Sequence, residues 1–564
     1  MFYFSSILCK FFIVNIFYFF VNITNMNIKN FFNNLINPNS DKVYNFSISN
    51  NVNTENFEIE ENIKNVFTVL NENLDFLKSK YNTLINNDVI IREFNMPINN
   101  KNYKCFIIYI DGLVDSISIN DFILKALMID KRLNSKDMPK NIGDYVDSCL
   151  LPQNSVSKVY KFTDVYTGIN MGDCLLFIDT LNMAFDIDVK KYSQRSIDAP
   201  NNESVIKGPQ EAFVENLRTN TSLIRRIVNN ENLVIENITV GKLSKTKCGV
   251  CYIQNIANGD LVSEVKYRMS SLDIDSLLST GQLEQLIEED KGFGIPQTLS
   301  TERPDKCTKY LFEGRVVVLV NGNPQAIILP ATIENFLFSP EDTNLRPIFA
   351  NFLRGLRIIS AILTLFLPGI YMAITSFHQE ILPTELLFSI LSARENVPFP
   401  IIFELLLMEF SFELIREAGL RVPSPIGSTI GIVGALILGD AAVNAGIVSP
   451  ILIIIVAITG ISSYAIPDFS FGFHLRVFRF LFIALGVTAG FLGIGAGIFI
   501  YTTLLCSLKS FGVPYTAPFA PSYNSQGNGY FIPPIWKQKY RASFISPKKK
   551  NSQDYISQKW NIPN

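Results

Sequence analysis

Histidine is almost missing from this chain: His378 and His474 are the only two among 564 residues. A His-based metal centre or a Ser-His-Asp arrangement is thereby nearly excluded. There is no phosphate-binding G-x-x-x-x-G-K-[ST], no G-x-S-x-G elbow and no dinucleotide-binding glycine fingerprint. The expectation is a chain that is not an enzyme, with no catalytic residue, no cofactor and no metal site. Net charge is also missing, 49 Lys and Arg standing against 51 Asp and Glu, so nothing global points to nucleic acid. No disulfide framework is present either. The eight cysteines are scattered (Cys9, Cys105, Cys149, Cys174, Cys248, Cys251, Cys307, Cys506), which suits a reducing compartment for the soluble part. Cys248 and Cys251 form a C-x-x-C, but it lies in a strand-like run with no second pair and no nearby His. A structural role is preferred over metal or redox chemistry.

Charge is missing locally as well. Residues 356–376, 426–466 and 477–506 are almost free of it, whereas residues 40–350 are mixed sequence rich in Asn, Asp and Lys. Mean hydropathy is +0.21. This distribution describes an integral membrane protein whose last third crosses a bilayer, preceded by a large soluble region. The first 24 residues are apolar and aromatic, broken by Lys10, without a basic start or a small-residue cleavage site, and Met26 opens a more ordinary polar stretch. They read as a start codon assigned too early or as a weak membrane-associated leader. Residues 33–56 are Asn- and Ser-rich and read as a flexible linker.

The soluble region carries a diverged internal duplication. KCFIIYIDGLVD (104–115) parallels KCGVCYIQNIANGDLV (247–262), and GDCLLFIDTLNMAFDIDV (172–189) parallels EGRVVVLVNGNPQAIILP (313–330), at a similar step in each half. Asn321-Gly322 is a hairpin signal. The fold class expected is an α/β soluble region of two related small α/β subdomains followed by an all-α multi-spanning membrane domain. The divisions are 1–59 leader and linker, 60–195 first subdomain, 196–234 a linker helix over 211–228, 235–345 second subdomain, 346–510 transmembrane domain and 511–564 a basic tail.

Four crossings are expected: 356–376 with a kink at Pro368-Gly369, 426–446, 449–466 and 476–506. In the fourth, Gly493 and Gly497 stand in a G-x-x-x-G relation that lets helices approach closely. Between the first two lies residues 399–415, apolar but bearing Glu404, Glu409 and Glu413, which reads as an interfacial or re-entrant helix. Glu380, Arg394, Glu404, Glu409, Glu413 and Arg416 are candidate charges of a salt-bridged shelf or of a water-filled vestibule. The crossing at 426–446 is built of small residues. Thr429, Val433, Leu436 and Asp440 share one helical face there and are candidate pore-lining residues, Val433 as an apolar gate. The alternative for Asp440 is a helix-end acid satisfied by a cap or by an arginine such as Arg479. Basic residues flank the first span at Arg354 and Arg357 and recur in the tail up to Lys548-Lys549-Lys550, so both soluble ends are expected in the cytoplasm. Arg476 and Arg479 fit that rule poorly.

Several long ordered motifs go further: KGPQEAFVENLRTNTSLIRR (207–226), TERPD (301–305), EGRVVVLVNGNP (313–324), LPGIYMAITSFHQEILPTELL (367–387), REAGLRVPSPIGSTIGIVGALILGDAAV (416–443) and SPILIIIVAITGISSY (449–464). Over residues 60–515 the chain resembles the A subunit of the GerA family of bacterial spore germination receptors. The resemblance implies a nutrient-triggered receptor in the inner membrane of a spore. Its implied partners are a transporter-like B subunit and a lipoprotein C subunit, and it implies a homo-oligomer that passes monovalent cations. A SpoVAF-type relative shares these motifs and would be an ion-channel component without its own nutrient. A secondary transporter using Glu409, Glu413 and Asp440, and a non-conducting signalling scaffold, are the alternatives to a channel.

Overall fold

The computed structural model describes residues 46, 48, 64–98, 101–129, 142–146, 151, 155–191, 200, 203, 205–289, 294–395, 397–421, 438–523 and 531–553. The apolar leader and most of the Asn-rich stretch lie outside the described residues, as do Thr429, Val433 and Leu436.

The first half builds helix α1 (Leu70–Lys80) and strands β1 (Val89–Ile98), β2 (Lys101–Ile110), β3 (Val156–Val159), β4 (Cys174–Ile178) and β5 (Ala184–Ile187). They form one antiparallel sheet in the order β1-β2-β4-β5-β3. The second half repeats it with β6 (Leu233–Val240), β7 (Thr246–Ile253), β8 (Leu299–Thr301), β9 (Val316–Val320) and β10 (Ala326–Leu329), ordered β6-β7-β9-β10-β8. In each half a helix enters the central hairpin, α2 (Phe162–Met171) before β4 and its counterpart Pro304–Glu313 before β9. Both helices end on a glycine in the left-handed region, Gly172 at φ 91° and Gly314 at φ 99°. There a residue with a Cβ would be strained, and the cap lets the chain reverse into a buried strand. The duplicated "Gly then apolar run" of the sequence is this cap and strand.

β4 and β9 are buried along their whole length, because both faces of each sheet are covered. Cys248 and Cys251 sit on β7 an odd number of residues apart, so they point to opposite faces. Cys248 joins the cluster with Val250 and Val318, Cys251 the cluster with Val317 and Leu319. Burial pushes both thiols up to about 12. The pair therefore cannot share a metal or close a disulfide. In the folded protein both are expected to resist maleimide and to react only after denaturation, read by peptide mass mapping. Modification of either on the timescale of an exposed thiol would contradict the placement.

The linker helix is shorter than the sequence suggested. It spans α3, Leu217–Ile227, and begins where the Asn216 side chain accepts hydrogen bonds from the Arg218 and Thr219 amides. Residues before it are held extended by neighbours, the Phe213 amide donating to the Glu302 carbonyl at 2.8 Å and the Val214 amide to Asn220 Oδ1 at 2.8 Å. From α3 the buried Arg225 reaches into the first half, with Nε 2.7 Å from Asp88 and Nη2 3.0 Å from Asn86. Asn86 Oδ1 in turn accepts from the Ile235 amide, so the 86–88 loop lies along edge strand β6 and blunts it.

The C-terminal region is helical. It comprises α4 (Pro347–Phe377), α5 (Thr384–Ala393), α6 (Ile401–Arg421), a helix over 438–444, α7 (Pro450–Tyr464) and α8 (Phe469–Ser507). By length and composition, α4 and α8 are the two helices among the described residues able to cross a membrane. α7 has 15 residues, shorter than its apolar stretch suggested. α4 starts at Pro347, well before residue 356, and runs through Pro368.

α8 is the largest departure from expectation. As one rod it would separate His474 from Tyr501 by about 40 Å, yet His474 Nε2 lies 3.1 Å from the Tyr501 hydroxyl. A Cβ on Gly497 would fall 2.6 Å from Leu485 and 2.9 Å from Phe482. The reversal is at Gly490, φ 58° and ψ −138°. α8 is thus a helical hairpin with legs 469–489 and 491–507, and the G-x-x-x-G glycines seat the second leg on the first.

Contacts fix the direction of each leg. Phe471 stacks on Phe336 of the second half, Phe482 packs on Phe366, and Gly490 meets Phe377 and His378, so the first leg runs parallel to α4. α6 and α7 run parallel to each other, from Glu404 beside Ser449 to Arg416 beside Ser463. The end bearing Phe471, Leu508 and Tyr515 is continuous with the core of the second half. The tail does not trail away. Phe511, Val513, Ala542 and Phe544 complete the other face of the second sheet, so the soluble halves and the tail share one side of the helical block.

Candidate functional site

Three glutamates on α6 meet arginines from α6 itself and from two other segments, the end of α5 and the first leg of α8. At the far end, Glu404 is fully buried. It accepts from Arg394 Nη2 at 3.2 Å and from the Ser449 amide at 3.1 Å, at the N-terminus of α7 where the helix dipole favours a negative charge. One turn and more along, Glu409 Oε2 lies 2.8 Å from Arg479 Nη2, both side chains 2 % exposed or less. No N–H is aimed at either Glu409 oxygen among the described residues, so this pair is held by charge more than by hydrogen-bond geometry. Near the soluble end, Glu413 gathers three arginines: Arg479 at 3.0 Å, Arg416 at 3.1 Å and Arg476 at 3.5 Å. Arg416 also donates to Ser463 Oγ at 2.5 Å and lies over the Tyr464 ring.

α6 is therefore a packed member of the block, not a lone surface shelf. An acid in an apolar helix is tolerated when it faces a partner: Glu409 and Glu413, four residues apart, share the face toward Arg479, while Glu404, nine residues before Glu413, lies on the opposite side of α6 against Arg394 and Ser449. Of the residues the sequence singled out, Arg394, Glu404, Glu409, Glu413 and Arg416 are brought together in this ladder. Glu380 is not; it lies exposed in the turn after α4. Arg479 does not neutralise Asp440, because Glu409 and Glu413 occupy it. Asp440 is exposed on the 438–444 helix, with Asn444 exposed one turn on, while Gly439 and Ala442 face inward against Ile453 and the α4–α6–α7 cluster. Sequence reasoning missed Arg476 and Arg479 as members of the site. The signal was there: two bases a turn apart in an apolar run require acids, and α6 supplies them.

The comparisons with known proteins follow this architecture. Residues 75–544 match the family described as Bacillus/Clostridium GerA spore germination protein. Spore germination protein KA of Bacillus subtilis (strain 168) is 39 % identical over 468 residues, covering 83 % of this chain and 85 % of that protein. Spore germination protein GerLA of Bacillus cereus is 35 % identical, covering 83 % and 93 %. Among solved structures, the N-terminal domain of the A subunit of the Bacillus megaterium spore germinant receptor GerK3 is 31 % identical, with a TM-score of 0.37, covering 48 % of this chain and 98 % of that one. The chain belongs to the GerA family of spore germination proteins.

Proposed function

We propose that this chain is the membrane-embedded A subunit of a nutrient germinant receptor, a non-enzymatic subunit whose copies assemble around an axis into a channel for monovalent cations. The observation that carries the reading is the polar pair Asp440 and Asn444, exposed beside the small residues Ala441 and Ala445 on one helix of the block. A polar stripe within a bilayer needs water or a protein partner, and small residues beside it let neighbouring copies close in. The ladder acids are already matched to arginines, which speaks against carriage by Glu409 and Glu413; Asp440 is an exposed acid outside that ladder and is set among small residues.

In this reading α4, α6, α7 and the two legs of α8 each pass between the two ends of the block, and because α6 finishes at one end and α7 starts at the other the passages number six in all. Hydropathy alone suggests four. An even number keeps both soluble ends together, and we place them in the cytoplasm, below the spore inner membrane. Exposed Arg346, Lys537, Lys549 and Lys550 on that side, against exposed Glu380, Glu385, Glu395 and Asp440 at the other, support the orientation. The partners in this reading are a transporter-like B subunit that binds the nutrient and a lipoprotein C subunit.

The test is ion flux. Co-reconstituted with its partner subunits in liposomes, the protein should pass potassium or sodium on addition of nutrient. Asp440→Asn should lower conductance or change selectivity by a few-fold without lowering the amount of folded protein, and Val433→Ala should leak without nutrient. Saturable uptake of a substrate would favour a transporter, and silence under every condition a scaffold.

A further inference from the structure

After the tail has covered the second sheet it returns to the start of α4. The Ile532 amide donates to Asn351 Oδ1 at 2.7 Å, and Asn351 Nδ2 donates to the Ile532 carbonyl at 3.2 Å. This clamp sets a short apolar segment, FIPPIWK (531–537), beside the first turns of the helix. Phe531, Ile535 and Trp536 are exposed there, and so are Ile348, Phe349 and Phe352 on α4. Leu345, Pro347, Ile535 and Trp536 border one cavity of about 380 Å³, so the two exposed groups are neighbours.

The length of α4 gives their depth. Thirty-one residues make about 46 Å of helix, against about 30 Å of hydrocarbon. Pro368 and Gly369 are packed in the middle of the block, so the excess falls partly at the N-terminal end. There Arg354 and Arg357 bind Asp342 rather than lipid. The first turns of α4, and the tail clamped to them, stand at headgroup level. Tyr464, Phe469 and Phe473 are exposed at the same end of the block, which makes a ring of aromatics of the kind that marks a membrane–water boundary. Exposed cations, Arg346 before α4 and Lys537 after Trp536, stand at the edge of the apolar patch.

We infer that residues 531–537 are an interfacial anchor, with Phe531, Ile535 and Trp536 inserted among lipid headgroups and Arg346 and Lys537 taking anionic headgroups. The anchor ties the second soluble half and its tail flat to the bilayer at the mouth of the helical block. It rests on the reading of α4 as a membrane helix. The occupant is a lipid surface because the patch combines the aromatic and basic residues that a headgroup layer selects and is continuous with the exposed apolar face of α4.

The chain has two tryptophans, Trp536 and Trp560. In the Trp560→Phe protein reconstituted into vesicles, Trp536 emission should fall about twofold with lipids brominated near the headgroup and less with lipids brominated near the chain end. The quenching should deepen when phosphatidylglycerol is added to phosphatidylcholine. Arg346→Glu with Lys537→Glu should remove that deepening, and Trp536→Phe should remove the signal. Emission quenched by acrylamide but not by brominated lipid would overturn the anchor. So would emission shielded from both together with cross-linking between copies, which would make the patch a subunit contact. If the protein fails to float with the vesicles at alkaline pH, it is the membrane reading that fails, whatever the fluorescence.

Discussion

Replacing Arg479 by methionine is expected to destabilise the helical block by about 3–5 kcal/mol, the cost of leaving a buried acid without its partner. Arg479 and Glu409 are both almost completely buried, 2.8 Å apart, and no other base among the described residues is paired with Glu409. The change is roughly a hundredfold to a few thousandfold in the folded-to-unfolded ratio, large enough to read as loss of the thermally stable peak of purified protein in detergent. Arg476→Met should cost far less, because Arg476 is 3.5 Å from Glu413, which keeps Arg416 and Arg479. Arg479→Met combined with Glu409→Gln should recover most of the loss, since the second change removes the orphaned charge while keeping its shape. A single variant as stable as the parent would show that Glu409 reaches water or another base, and the ladder would not be a closed buried network.

This ladder was half legible in the sequence. Glu404, Glu409 and Glu413 in an apolar run stand out because isolated acids do not belong there. Arg416 is three residues from Glu413, but the other partners are 10 to 70 residues away, and no periodicity joins residue 409 to residue 479. Arg476 stood out only as a misfit to the topology rule, and Arg479 as that and as a possible partner of Asp440. The two soluble halves were more legible, because an apolar strand preceded by a capping glycine repeats as a local pattern in GDCLLFI and EGRVVVLV. The linker helix was less so. KGPQEAFVEN has helix-forming residues, but Asn216 offers a better cap, the Glu302 carbonyl holds the Phe213 amide and the Asn220 side chain holds that of Val214. Tertiary contacts outweighed propensity there. In α8, hydropathy is blind to direction. Gly486, Gly490, Gly493, Gly495 and Gly497 look alike in the sequence, and only at Gly490 does the backbone leave the helical region.

That asymmetry among the glycines predicts the second large effect. Gly490→Val should open or unfold the hairpin, whereas Gly495→Val should be tolerated. At Gly490 the φ of 58° with ψ −138° is a conformation that a β-branched residue does not adopt, worth about 1–3 kcal/mol of strain. Any Cβ there would also sit 2.7 Å from the His378 ring and 3.0 Å from Phe377, adding about 1–3 kcal/mol of overpacking. A Cβ on Gly495 would meet no side chain and no backbone beyond its own helical turn within 4 Å among the described residues. Spin labels at Phe473→Cys and Thr502→Cys, both exposed positions, report the fold directly once Cys9, Cys149 and Cys506 are replaced by Ser. The hairpin puts the two labels on adjacent legs beside the His474–Tyr501 contact, whereas a straight 39-residue rod would put them about 43 Å apart. A short distance in the parent that lengthens or broadens in Gly490→Val, but not in Gly495→Val, is the expected result. A long distance in the parent itself would restore the single rod. It would also carry residue 507 to the far end of the block, away from the second sheet that the tail completes, so the shared side of the soluble halves and tail stands or falls with Gly490.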